Sequence, residues 1–478
     1  MNPPRDFCAN WAYLARFDPM DLVPAVSAPS AASSTPRAPI SHREVLTLAA
    51  PAVATSLLQT LVFVVDRAIL GHYNRPAIAA MQTAGPLSWT LFALSGSFAV
   101  GTLAVLGRAH GAEDRARVGS VVRASLALAL LIGVIVGTLS ALFASPLVAL
   151  FGDAAGPRVH AVSVSYLRVL LPALPAYLLG LAAITSLQAS GNTRTPLAIG
   201  IATNVLNLVL NYALVFGRWG FSEHGATGSA MASAAAGVLE AILGLVALNR
   251  AQGLLSLPRE SLQNIKQTAR DILHVTYGSF GERVVYHLGF LGYVRFVTGL
   301  GAGAMAANQA LIAIESISFL TADGIAVAAG ALVAQRLGAQ RPEDSQRAGW
   351  LATAHCVIAL GAFGLVFACF PEALVRLFVS DTSTVAMAVP VLRFGALAQI
   401  PMAIGVVLAQ SVRGAGATRE ALAISLLGAL VVRLAGCVLF VSILSLGLLG
   451  VWMASTVDWI VRAVVYSWFW RSKRALSR

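Results

Sequence analysis

After Arg43 the chain breaks into apolar stretches of about 20 residues, the length that crosses a bilayer core, and twelve of them follow in succession. They cover residues 46–71, 77–106, 120–145, 161–188, 195–217, 227–249, 272–299, 302–334, 349–370, 385–411, 420–445 and 448–470. A transmembrane barrel needs short alternating segments, so these long continuous runs point to helices. Composition agrees: 11% of the residues are charged, against about 25% in a soluble domain. That is too little polar surface to clothe the soluble domains that 478 residues would otherwise form. The expected fold class is an all-α polytopic membrane protein with twelve transmembrane helices.

The few charges are placed systematically. A net charge of +12 would raise nucleic acid as a partner in a soluble protein. Here the cations fall in alternate short loops: Arg108, Arg115 and Arg117; Arg194; Arg250, Arg259, Lys266 and Arg270; Arg336, Arg341 and Arg347; Arg413 and Arg419. No nucleic-acid partner is expected, and the lipid bilayer takes its place. By the positive-inside rule both termini are cytoplasmic. Residues 1–42 are rich in Pro, Ala and Ser, with no apolar run of signal-peptide length. They read as a disordered cytoplasmic tail or as translation from a start codon set too far upstream. Residues 471–478 read as a basic cytoplasmic tail. Trp452 at one end of the last helix, and Trp468 with Trp470 at the other, suit two interfacial belts. Cys8, Cys356, Cys369 and Cys437 have neither ligand nor disulfide spacing and read as small packing residues.

An internal repeat organises the spans. SGNTRTPLAI (190–199) aligns with AGATREALAI (415–424), IAAMQ (78–82) with MAANQ (305–309), and Gly111-Ala112 with Gly338-Ala339. Each copy holds six spans, an even number, so the two copies run in the same direction and form two parallel-repeat six-helix bundles. The expected division is an N-lobe over 43–249, a short polar cytoplasmic linker over 250–271 and a C-lobe over 272–470, with a cleft between the lobes. That is transporter architecture rather than a channel built from small subunits.

Particular motifs go further. Pro51 early in the first span with FVVDRAILG (63–71), and QASGNTRTP (188–196) followed by NVLNLVLNYALVFG (204–217), mark the first half. FGERVVYHLG (280–289), AANQALIAIESISF (306–319) and VRGAGATR (412–419) mark the second. Together they resemble the multidrug and toxic compound extrusion (MATE) family, in one of its bacterial branches. The resemblance implies a multi-pass protein of the bacterial inner membrane that exports drug-like or cationic amphiphilic compounds in exchange for H⁺ or Na⁺ by alternating access. A monomer is expected.

An ionisable group inside a span costs about 2.5–3.5 kcal/mol on insertion scales, so each intramembrane acid needs a reason. Asp66 lies in the outer half of the first span, and Asn204, Asn207 and Asn211 form one stripe of the fifth. Asp66 with Asn207 and Asn211 would make an ion-coupling pocket; alternatively Asp66 pairs with Arg67 or clamps the first span to the fifth. Asp66 matches the acid of the family's N-lobe. Asn211 stands where some branches carry an aspartate, which would leave proton coupling to Asp66 alone, while amide oxygens still allow Na⁺. In the C-lobe, Glu282, Glu315 and Asp323 are set against Arg433 as the evident counter-charge. They form either a buried network, with Arg433 and Asp323 as its structural members, or a second cation site. The family's sodium-coupled pair falls on Tyr286 and Met402, so that cation site is not expected. Gln82, Glu282, Tyr286, Gln309 and Glu315 are candidate cavity-lining residues, with Met81, His287 and Asn308 beside them.

Other classes lack their motifs. No HExxH, GxSxG or GxxxxGK[ST] pattern occurs, so no enzyme, no metal site and no cofactor beyond the coupling ion are expected. A lipid-linked-intermediate flippase of the same superfamily remains the alternative. It would favour a strongly cationic cavity and extra helices.

Overall fold

The computed structural model describes residues 40–73, 75–149, 156–250 and 265–476. The 1–39 part of the expected tail and most of the expected linker therefore lie outside the described residues. Ten helices among them are long and apolar enough to cross a membrane. The first span, His42–Tyr73, and the seventh, Ile265–Gly299, are also longer than a bilayer core requires. The seventh carries Glu282, Arg283, His287 and Arg295, which dilute its apolar character.

The second to sixth spans are Ala79–Gly111, Arg115–Leu142, Pro157–Ala189, Arg194–Phe216 and Ala226–Arg250. The eighth to twelfth are Ala302–Gly338, Pro342–Cys369, Thr382–Gly414, Thr418–Ile443 and Gly447–Arg471. Their ends follow from local chemistry. Asp114 caps the third span by accepting from the Arg117 amide at 2.9 Å. Gly217 ends the fifth in the left-handed conformation at φ 63°, which costs glycine nothing. Asp381 caps the tenth, accepting from the Thr384 amide at 2.8 Å and from the Ser383 and Thr384 hydroxyls at 2.6 and 2.7 Å. These bonds favour the carboxylate and hold its pKa down at about 2, below the ordinary 3.8. The cap is complete at neutral pH and is lost only as the pH falls from about 4 towards 2.

The repeat is visible in the irregularities. The fourth span turns through a 3₁₀ step at Leu171–Ala173 and the tenth through another at Ala396–Ala398. Short helices, Ala144–Ala149 and Pro371–Arg376, precede these two spans. Within the first half the fifth span packs on the first and sixth, and the third on the fourth. Within the second half the eighth packs on the ninth and tenth, and the seventh on the eleventh. Between halves, the eighth span packs on the first and second, and the seventh on the second and third.

The outer faces are apolar, the reverse of a soluble protein. Ile358 is 73% exposed and Leu365 68%, on a ninth span that would stand in hydrocarbon. Two of the expected belt tryptophans are corrected: Trp452 and Trp470 are buried. Trp452 Nε1 donates to Asn308 Oδ1 at 3.1 Å and Trp470 Nε1 to the Gln346 carbonyl at 3.3 Å, so hydrogen bonding draws both inside. Trp468 alone of the three is exposed. Cys356 and Cys437 are buried packing residues as expected, Cys369 is exposed, and Cys8 lies outside the described residues.

Candidate functional site

In the first half the polar stripe of the fifth span meets the first and sixth spans. Asn211, fully buried, donates from Nδ2 to Asp66 Oδ1 at 2.5 Å and to Ser229 Oγ at 3.2 Å. Asn207 donates to Ser233 Oγ at 3.3 Å. The three residues expected as a coupling pocket are thus brought together, with two serines of the sixth span added. The same geometry is also the clamp between first and fifth spans that the sequence left open. The Arg67 side chain lies outside the described residues.

One helical turn along the fifth span a cavity of about 160 Å³ opens. Its polar lining is Thr203, Asn204, Asn207, Ser233 and Glu240, and its aromatic wall is Phe92 and Tyr177. The two rings stack with centroids 4.6 Å apart and planes 18° from parallel. Asn207 belongs to the cavity and, through the shared stripe, adjoins the Asp66–Asn211 pair.

Glu240 was missed by sequence reasoning, although its signal was there: an acid flanked by apolar residues on both sides within the sixth span. Its carboxylate makes no hydrogen bond or ion pair with any described residue, and it lies along Gly180 of the fourth span. Gly180 leaves the room: a Cβ there would stand 3.0 Å from Glu240 Cγ. Arg283 was missed as well. It projects from the seventh span, and both it and Glu240 of the sixth lie within electrostatic reach of Tyr177.

The second half separates residues that the sequence grouped. Glu282 is no cavity carboxylate: both its oxygens accept from Arg413 Nη1, at 2.8 and 2.9 Å, and Oε1 also accepts from Ser425 Oγ at 2.7 Å. Arg413, read as a loop charge, turns inward instead and also donates to Gln410 Oε1 at 2.7 Å. Asp323 lies in reach of Arg413, Arg283 and the Ser56 hydroxyl. The expected network of Arg433 with Asp323 is corrected: Arg433 Nη2 pairs with Asp458 Oδ2 at 2.7 Å. Arg462, one turn along the twelfth span, grips the same carboxylate at 2.6 Å through both Nε and Nη2. Glu315 is left with Arg433 in electrostatic reach. Asp458 is the carboxylate within contact distance of Arg433, and its two oxygens are shared between two guanidinium groups, whereas Asp323 faces Arg413 and Arg283.

Of the remaining cavity candidates, Tyr286 and Gln309 are exposed, and the Gln82 side chain lies outside the described residues. Asn308 and Met81 are buried packing residues, Asn308 accepting from Tyr293 Oη at 2.7 Å. No cluster of metal-ligating side chains occurs among the described residues.

Comparison with known proteins adds the family context. The MatE family model matches residues 51–213 and 279–439, one segment in each half. The chain is 29% identical over 447 residues to a probable multidrug resistance protein NorM of Thermotoga maritima, covering 91% of this chain and 95% of that protein. It is 26% identical over 394 residues to multidrug resistance protein PmpM of Pseudomonas aeruginosa, covering 80% of each. Among solved structures, an outward-facing conformation of a multidrug resistance MATE family transporter of the MOP superfamily superposes with a TM-score of 0.85 at 20% identity. The superposition covers 91% of this chain and 97% of that one. At that identity it is the fold that is shared.

Proposed function

Because the chain belongs to the MatE, or multidrug and toxic compound extrusion, family of membrane transporters, we propose that it is a secondary active antiporter exporting cationic amphiphilic compounds in exchange for H⁺ or Na⁺. The arginine-rich end faces the cytoplasm, and the two halves act as lobes that alternate access. The observation that carries this reading is the acid–amide pair Asp66–Asn211 beside a cavity walled by Phe92 and Tyr177 and carrying Glu240, which has no hydrogen-bond or ion-pair partner among the described residues. An ion on Asp66 and a substrate in the cavity would share the Asn207–Asn211 stripe, so occupation of one site reshapes the other. The flippase alternative asks for a cationic cavity, and the charged lining residue here is an acid.

Everted membrane vesicles test the reading. A pH gradient alone and a Na⁺ gradient alone should be imposed in turn, with uptake of a fluorescent organic cation followed. Uptake driven by at least one is expected, and uptake driven by neither would overturn the antiport assignment.

Glu240 supplies a second prediction. Glu240→Gln keeps the side-chain volume and removes the charge that pairs with a cationic substrate. The KM for a monocation should rise about tenfold, as for the loss of one charge-assisted contact, with little change in kcat. A neutral substrate of similar size should be unaffected.

A further inference from the structure

The motifs that define the internal repeat, SGNTR and AGATR, take no part in the site above, yet both lie where the halves meet. Arg108, near the end of the second span, donates from Nη2 to the Ala415 carbonyl at 2.5 Å. Gln335, at the equivalent point of the eighth span, donates from Nε2 to the Ala189 carbonyl at 2.7 Å. Each bond crosses from one half to the other, and each acceptor lies at the C-terminal end of a span, where carbonyls have no partner within the helix. The loops are built alike: Gly191 and Gly416 take left-handed conformations, φ 89° and 80°. The Asn192 amide donates back to the Leu187 carbonyl at 2.9 Å, and the Ala417 amide to the Val412 carbonyl at 3.0 Å. Such a turn leaves the terminal carbonyls facing outward to be met.

Between the two bonds the second and eighth spans touch backbone to backbone. A Cβ on Gly111 would overlap the Gln335 carbonyl, and one on Gly338 would overlap that of Arg108. Two exposed or half-buried ion pairs flank this seam at the same end, Arg336 with Glu44, and Arg117 with Asp271 at 2.9 Å.

We propose that Arg108 and Gln335 form a reciprocal pair of latches, received by the AGATR and SGNTR turns, that hold the arginine-rich end of the protein shut between its halves. The latches are unequal. Arg108 brings a full positive charge to a helix C-terminus, which favours cations, whereas Gln335 brings a neutral amide. The Arg108 latch therefore sets most of the closed-state bias and Gln335 trims it. This inference does not depend on which ion or substrate is carried.

Spin labels at Arg115→Cys and Arg347→Cys, exposed positions of opposite halves at this end, would report the separation by pulsed electron resonance. The full chain, with its four native cysteines replaced, would be held in lipid nanodiscs without substrate. The unaltered latch should give mainly the short distance. Arg108→Ala should raise the ratio of long to short distances about tenfold, and Gln335→Ala about threefold, matching a charged and a neutral hydrogen bond. Arg108→Lys should recover part of the closed population. Gly338→Ala, which wedges the seam, should also favour the long distance. Unchanged distance distributions in both Arg108→Ala and Gln335→Ala would overturn the latch. If Arg108→Ala does not give a monodisperse protein, Gln335→Ala and Gly338→Ala are read by the same criterion, unchanged distributions in both again overturning it.

Discussion

Asp66→Asn should reduce gradient-driven accumulation of a fluorescent cation in everted vesicles to the passive background of vesicles lacking the protein. The substitution is informative because it separates the two roles the geometry gives Asp66. As a clamp, the side chain joins the first span to the fifth through Asn211 Nδ2. The Asn211 Oδ1 atom is buried and has no partner among the described residues, so an asparagine amide at position 66 has an acceptor waiting. The clamp survives and the charge does not. An ion shifts a conformational equilibrium only through its different affinities for the two states, and a neutral amide at position 66 removes most of that difference. Substrate binding to the detergent-solubilised variant should persist, since the cavity is lined by other residues. If gradient-driven uptake is retained in Asp66→Asn, coupling lies elsewhere, and Glu315 and Asp323 are the next acids to test.

What the sequence made legible depended on how far each signal reaches. The spans and their repeat were legible because length and apolar continuity are local properties, and the paired 3₁₀ steps at Leu171–Ala173 and Ala396–Ala398 follow the same offset. The Asp66–Asn211 neighbourhood was legible because three amides on one helical stripe must face one way. Arg108 and Arg413 were not legible. Both sit at helix ends beside short loops, where an arginine normally sets orientation. Only tertiary packing shows that one crosses between the halves and the other turns in to Glu282. The partner of Arg433 was hidden for a related reason: Glu315, Asp323 and Asp458 are equally acidic in sequence. The choice falls to the carboxylate that the twelfth span carries to it.

That choice leads to the largest expected change in stability. Asp458 is fully buried and is the shared counter-charge of Arg433 and Arg462, whose side chains are 9% and 8% exposed. Arg462 is further fixed by its guanidinium lying 3.8 Å from the centroid of the Trp459 ring. Gly428 of the eleventh span packs directly against the pair, with no room for a Cβ, so the cluster is closely covered on that side. Removing one member of such a cluster leaves its partners charged in a low-dielectric interior and costs about 3–5 kcal/mol. Asp458→Asn should therefore lower the midpoint of thermal unfolding in detergent by roughly 10 °C. Replacing all three residues with leucine should recover most of that loss, since the penalty comes from the unpaired charge and not from the missing bonds. A midpoint within about 2 °C of the original in Asp458→Asn would mean that Glu315 moves in to take over the role. The variant Asp458→Asn with Glu315→Gln distinguishes this outcome, because it leaves neither carboxylate for Arg433 and should then show the full destabilisation.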